Sequence, residues 1–185
     1  MSKLGAQSGQ ISSKKSKHFH HKAIHQAVAA ACLSLAANLA FAACPAAGAS
    51  IISIPDATTA ADICSLNAGE SLVIGIPGLL RSAVVRSGVV AGSITNNGTI
   101  SGTSASIRVL SGSSISSLTN SGTISGDFGI YVDSSSIIGT LTNNVGGIIS
   151  GVSGDGISVR GNASIGTLTN SGSISSNNNY GIAIG

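Results

Sequence analysis

From about Ser71 onward, apolar residues recur at every second position in short runs, and the runs are separated by Gly, Asn and Ser. Thr123-Ile124-Ser125 and Gly129-Ile130-Tyr131-Val132 are two of them. A period of two puts successive side chains on opposite faces, so each run predicts a strand with one face buried. The runs are too short and too rich in β-branched residues for helix. The Gly and Asn between them accept the left-handed backbone that tight bends need.

The runs belong to a repeat. SITNNGTISG starts at Ser93, SLTNSGTISG at Ser117, TLTNNVGGIISG at Thr140 and TLTNSGSISS at Thr167. Their shared asparagines, Asn96, Asn120, Asn143 and Asn170, are 24, 23 and 27 residues apart. A second strand follows each segment, carrying Ile107 and Val109, Ile130 and Val132, Ile157 and Val159, and Ile182 and Ile184. A third piece falls at Ile115, Ile137 and Ile165. A degenerate earlier unit runs from Ser71 to Gly92, with Leu72, Ile74, Leu80 and Val84 as apolar points. Self-similarity at this period is the mark of a solenoid or propeller, and leucine-rich repeats need a different leucine frame. Three strands and three bends per unit predict an all-β, right-handed parallel β-helix of about four to five coils. One coil cannot bury its own Ile and Val, whereas stacked coils align them in columns. Ile100, Ile124, Ile148 or Ile149, and Ile174 form one expected core column. The four asparagines form an expected bend ladder, able to take positive φ and to bond amide to amide from coil to coil.

Charge changes the picture of the first residues. All five lysines lie in residues 1–22 and all four histidines in residues 1–25. From Ala43 onward four arginines face six carboxylates, a net charge of −2. The pI of about 9.0 therefore belongs to the leader, and the case for a nucleic-acid partner disappears with it. Residues 27–43 (AVAAACLSLAANLAFAA) are apolar apart from Ser34 and Asn38, and small residues and Pro45 follow. A basic segment, an apolar run and a small-residue site are the layout of a secretory signal. The run is shorter than the roughly 20 apolar residues needed to span a bilayer. Residues 1–42 are thus expected to be a signal-peptide helix with a long basic n-region. Cleavage is expected between Ala42 and Ala43, with a second A-x-A site ending at Ala49. Residues 43–70 read as a lead-in, and residues 71–185 as an incomplete array of β-helix repeats. Cys32 would leave with the leader, while Cys44 and Cys64 would remain as a possible disulfide. Phe41-Ala42-Ala43-Cys44 also partly resembles a lipobox, with Phe where Leu is usual.

The coils written SLTNSGTISG…GI.V resemble those of autotransporter passenger domains, and Ile63–Leu72 (ICSLNAGESL) looks like the lead-in before such coils. The resemblance covers roughly residues 50–185. The long leader is similar in layout to those of large autotransporters and two-partner-secreted adhesins, without their aromatic-rich pattern. What the resemblance implies is an exported, cell-surface structural or adhesive stalk of a Gram-negative bacterium. Its implied partners are signal peptidase, the export machinery, a downstream outer-membrane barrel, and a host-surface or carbohydrate ligand. The sequence given stops at Gly185 inside a coil and has no run of amphipathic barrel strands, so a fragment is expected.

Candidate chemistry is sparse. Asp127 and Asp155 each follow Ser-Gly and precede a Gly-Ile strand, and neighbouring coils could bring them to the roughly 5 Å carboxyl spacing of retaining glycosidases. That pair carries the alternative reading, a β-helix carbohydrate-active enzyme. Asp beside Gly is also a standard turn residue, so solvated turns are expected and no enzyme. Gly154-Asp155-Gly156 is a single loose copy of a calcium-binding nonapeptide unit, which needs tandem repetition. With no His beyond residue 25 and two Cys, neither a zinc site nor a Ser-His-Asp triad is expected, and no cofactor. Phe128, Tyr131 and Tyr180 are candidates for a small patch or for corner packing.

Overall fold

The computed structural model describes Cys44, residues 51–55 and residues 61–185, all within one compact unit, residues 41–185. The leader and the cleavage site at Ala42–Ala43 lie outside the described residues. Every regular element among them is a strand: β1 (Ile51–Ile54), β2 (Ala61–Leu66), β3 (Ser71–Ile74), β4 (Leu79–Val85), β5 (Val90–Asn96), β6 (Thr99–Ser101), β7 (Ala105–Val109), β8 (Ser114–Asn120), β9 (Thr123–Gly126), β10 (Phe128–Val132), β11 (Ile137–Asn143), β12 (Ile148–Gly151), β13 (Ile157–Val159), β14 (Ser164–Asn170), β15 (Ser173–Ser176) and β16 (Ile182–Ile184).

All pairing is parallel and runs between coils. β1, β3, β5, β8, β11 and β14 form one six-stranded sheet. The other ten strands form a sheet that is two walls sharing β4. Leu79 and Leu80 of β4 pair with β6 and lead to β9, β12 and β15. Ala83–Val85 pair with β7 and lead to β10, β13 and β16. The result is a three-walled β-solenoid of about five turns. β1 and β2 pair with β3 and β4, so the segment expected as a lead-in forms a rung of its own.

Inward residues stack in columns because a one-residue slip would turn a whole strand inside out. Leu80, Ile100, Ile124, Ile149 and Ile174 form one column in continuous register, and the first four are buried. Ile107, Ile130 and Ile157, with Val109, Val132 and Val159, fill the third wall. Two details depart from the sequence pattern and one open choice is resolved. Ile138, not Ile137, aligns with Ile115 and Ile165. Of the two alternatives Ile148 and Ile149, it is Ile149 that faces the core. In β4 the inward pair is Ala83 and Val85, leaving Val84 half-buried in the outer row.

The bends have their own column. Gly69, Gly88, Gly112, Ser135 and Asn162 occupy the same corner of successive coils, with φ of 76°, 74°, 69°, 59° and 62°. Each corner is closed by a backbone bond across the turn, such as Ser113 N–H to Leu110 C=O and Ser136 N–H to Asp133 C=O. The ladder asparagines are not among the positive-φ residues. They end their strands with the side chain turned inward; the recurring left-handed residue sits at a different corner, and at the ladder's own corner Gly146, in the bend after Asn143, takes φ of 80°.

Candidate functional site

The outer row of the third wall follows from the alternation of its strands. With Ile107 and Val109, Ile130 and Val132, and Ile157 and Val159 inward, the residue between each pair points out: Arg108, Tyr131 and Ser158, in register. The residue after each pair gives the next column, Leu110, Asp133 and Arg160. Phe128 opens β10 opposite Ala105 and meets Tyr131 edge to face, with ring centroids 5.4 Å apart.

One coil further on, the link from β12 to β13 is longer than the link from β9 to β10. It brings Gly154 beneath the Phe128 ring, where a Cβ would collide with the ring carbons. The same link turns Asp155 inward. Its side chain is fully buried and bridges to Arg160, Nη2 to Oδ2 at 3.2 Å. The Tyr180 N–H donates to Oδ1 at 3.4 Å, and Arg160 Nε donates to the buried Ser158 hydroxyl at 2.9 Å. The Arg160 guanidinium is thus anchored from below while 52% of its side chain stays exposed. Asp155 was expected to be a solvated turn residue; the longer link carries it under the wall instead. Asp127 stays at the surface and accepts from the Ser153 hydroxyl at 2.9 Å. The two carboxylates therefore have separate partners.

Asp133 accepts from the hydroxyls of Ser111 and Ser134, each at 3.2 Å. The Ser134 backbone N–H lowers its pKa most, those hydroxyls and the Arg108 charge add to the effect, and partial desolvation opposes it. Together Ser104, Arg108, Phe128, Tyr131, Asp133 and Arg160 border a groove of about 460 Å³. Tyr180 is two-thirds exposed and is not one of the residues lining it. Arg108, Asp133 and Arg160 were missed from sequence. Aligning the strands SIRV, GIYV and GISV, with the residue that follows each, would have placed them in adjacent outward columns.

The asparagine ladder runs through the interior beneath the first wall. Asn96 Nδ2 donates to Asn120 Oδ1, Asn120 to Asn143, and Asn143 to Asn170, each at 2.8 Å. The first three amides also donate to backbone carbonyls at the corner, as Asn120 does to Gly122 and Ile148, both at 3.1 Å. In the two preceding rungs the same column holds Ile74 and Ile54. Asn96 Oδ1 therefore faces a rung with no donor and is buried without a partner. Cys44 and Cys64 form a disulfide that ties the segment before β1 to the inward face of β2, where Cys64 is fully buried. Among the described residues no group of three His, Cys, Asp or Glu could hold a metal ion. The Asp155 carboxylate, the one candidate for calcium, already carries a cation in Arg160.

No protein family, curated protein or solved structure matches the chain.

Proposed function

We propose that this chain is a segment of an exported, autotransporter-like passenger, a structural or adhesive stalk displayed at the surface of a Gram-negative bacterium. The observation that carries the reading is the β-solenoid itself, in which similar coils extend a rod and present long rows of Ser and Thr on its outer face. The basic leader and its apolar run support export. The Cys44–Cys64 bond supports an oxidising compartment such as the periplasm. A thiol in that bond is not open to lipid, which favours a cut before Ala43 over lipid attachment at Cys44. The enzyme reading is the weaker one, because it requires Asp127 and Asp155 to share a substrate and Asp155 is committed to Arg160.

Export is tested by fusing residues 1–185 to a phosphatase that is active only after crossing the inner membrane. The fusion should be active, and N-terminal sequencing of the periplasmic product should begin at Ala43. An inactive fusion, or an intact Met1 on periplasmic protein, would overturn the proposal.

A further inference from the structure

We propose that the groove on the third wall is a binding subsite for a neutral sugar, taking one pyranose ring of a glycan against Tyr131 and Phe128, with Arg108, Asp133 and Arg160 reaching its hydroxyls. The inference rests on the solenoid and its side chains, not on export.

The rings supply the apolar part. Phe128 is pinned over Gly154 and holds Tyr131 edge to face, so the pair is fixed before any ligand arrives. A sugar has an apolar face of C–H bonds and an equator of hydroxyls, and an aromatic ring offers its electron-rich face to the former. The flanking groups suit the latter. The Arg108 side chain has no hydrogen-bond partner among the described residues, so its planar fork of donors is open. Arg160 is held by Asp155 and Ser158, which reduces the side-chain entropy that binding would otherwise cost. Asp133 is kept ionised by its serine partners and Arg108 and supplies the acceptors.

Charge decides which sugar. Two guanidiniums at the groove are matched by two carboxylates, Asp133 beside Arg108 and Asp155 beneath Arg160. A balanced site has no net pull on a polyanion, and salt screens the remainder beyond about 8 Å. It does offer fixed donors and acceptors side by side, which is what an uncharged polyol requires. The groove is open and one ring wide, so single-site affinity should be millimolar and useful through repetition along a surface.

Saturation-transfer NMR on the full chain tests this with maltohexaose, cellohexaose and chitohexaose as neutral probes and a heparin hexasaccharide as the anionic one. At least one neutral probe should receive saturation on its ring C–H protons. Tyr131→Ala and Arg108→Ala should each weaken it about tenfold or more. Thr119→Ala, on the six-stranded sheet, should leave it unchanged, with circular dichroism confirming that all variants stay folded. Three neutral probes without transfer, transfer insensitive to Tyr131→Ala, or tighter binding of the heparin fragment would each overturn the proposal. None of these outcomes bears on whether the protein begins at Ala43, so failure here leaves the export reading standing.

Discussion

Asp155 gives up its hydration and keeps one guanidinium and one distant N–H in return. A carboxylate fully out of water depends on such partners, because an unpaired buried charge costs several kcal/mol or is neutralised. Arg160→Ala should therefore destabilise the chain by about 1–3 kcal/mol. That lies below the range for fully buried pairs, because half of the Arg160 side chain is solvated. Asp127→Asn, which alters only a surface bond to Ser153, should stay within about 0.5 kcal/mol. Combining Arg160→Ala with Asp155→Asn should recover part of the loss, since a neutral amide is cheaper to bury. Urea denaturation followed by circular dichroism measures all three, and equal costs for Arg160→Ala and Asp127→Asn would mean that Asp155 keeps water. Asp127 and Asp155 sit in look-alike sequence contexts, Ser-Gly-Asp before a Gly-Ile strand. The difference between them is the length of the link to the next strand, and local pattern carries no signal for which residues of a link turn inward.

A ladder of amides has a direction and two ends. Asn96, Asn120 and Asn143 each donate toward the C-terminal coil, so the first oxygen, Asn96 Oδ1, has no donor. Replacing Asn96 by Leu moves that orphan one rung, to Asn120, and removes one bond to the Thr123 carbonyl. The cost should be about 1 kcal/mol. Asn120→Leu cuts the ladder instead. It strands Asn143 Oδ1 while Asn96 Oδ1 stays stranded, and it strips the Gly122 and Ile148 carbonyls of a donor, for about 3 kcal/mol. Thermal unfolding of the two variants should separate clearly, and equal losses would refute the head-to-tail account. At this scale much was legible in sequence. The recurrence of Asn at 24, 23 and 27 residues fixes a column whatever the loops do, and the single Ile in TISG and SISS leaves one choice of inward residue. Doublets were harder. Ile137-Ile138 and Ile148-Ile149 each offer two apolar candidates, and the partner strand decides between them. The lead-in hid a rung because Ile51–Ile54 and Ala61–Leu66 lack the Thr-Asn corner that marks the later coils. The groove was illegible as a site because its residues come from three coils and share no motif.

In a polypeptide of residues 1–185, the rung formed by β14, β15 and β16 has a neighbour on one side only. It exposes Leu168, Ile182 and Ile184 to 37%, 41% and 80%, and residues 161–185 contain no charge. Exposed strand edges are normally blunted by charge, proline or a cover, and solenoids by a polar capping repeat. Stacking one more rung would bury several apolar side chains at about 1.5–3 kcal/mol each when fully covered, and would pair a row of backbone groups. That sum is comparable with the roughly 4–15 kcal/mol of freedom lost on association, so micromolar assembly is within reach. The leaderless chain, residues 43–185, should associate end to end in a way that rises with concentration and is insensitive to salt. Ile184→Lys with Leu168→Lys should suppress it by placing charge on the edge, and so should fusion of further coils after Gly185. Light scattering alongside circular dichroism reads both. A leaderless chain that stays monomeric at micromolar concentration with full β signal would sink the prediction, because the open rung would then be stable in water without a partner.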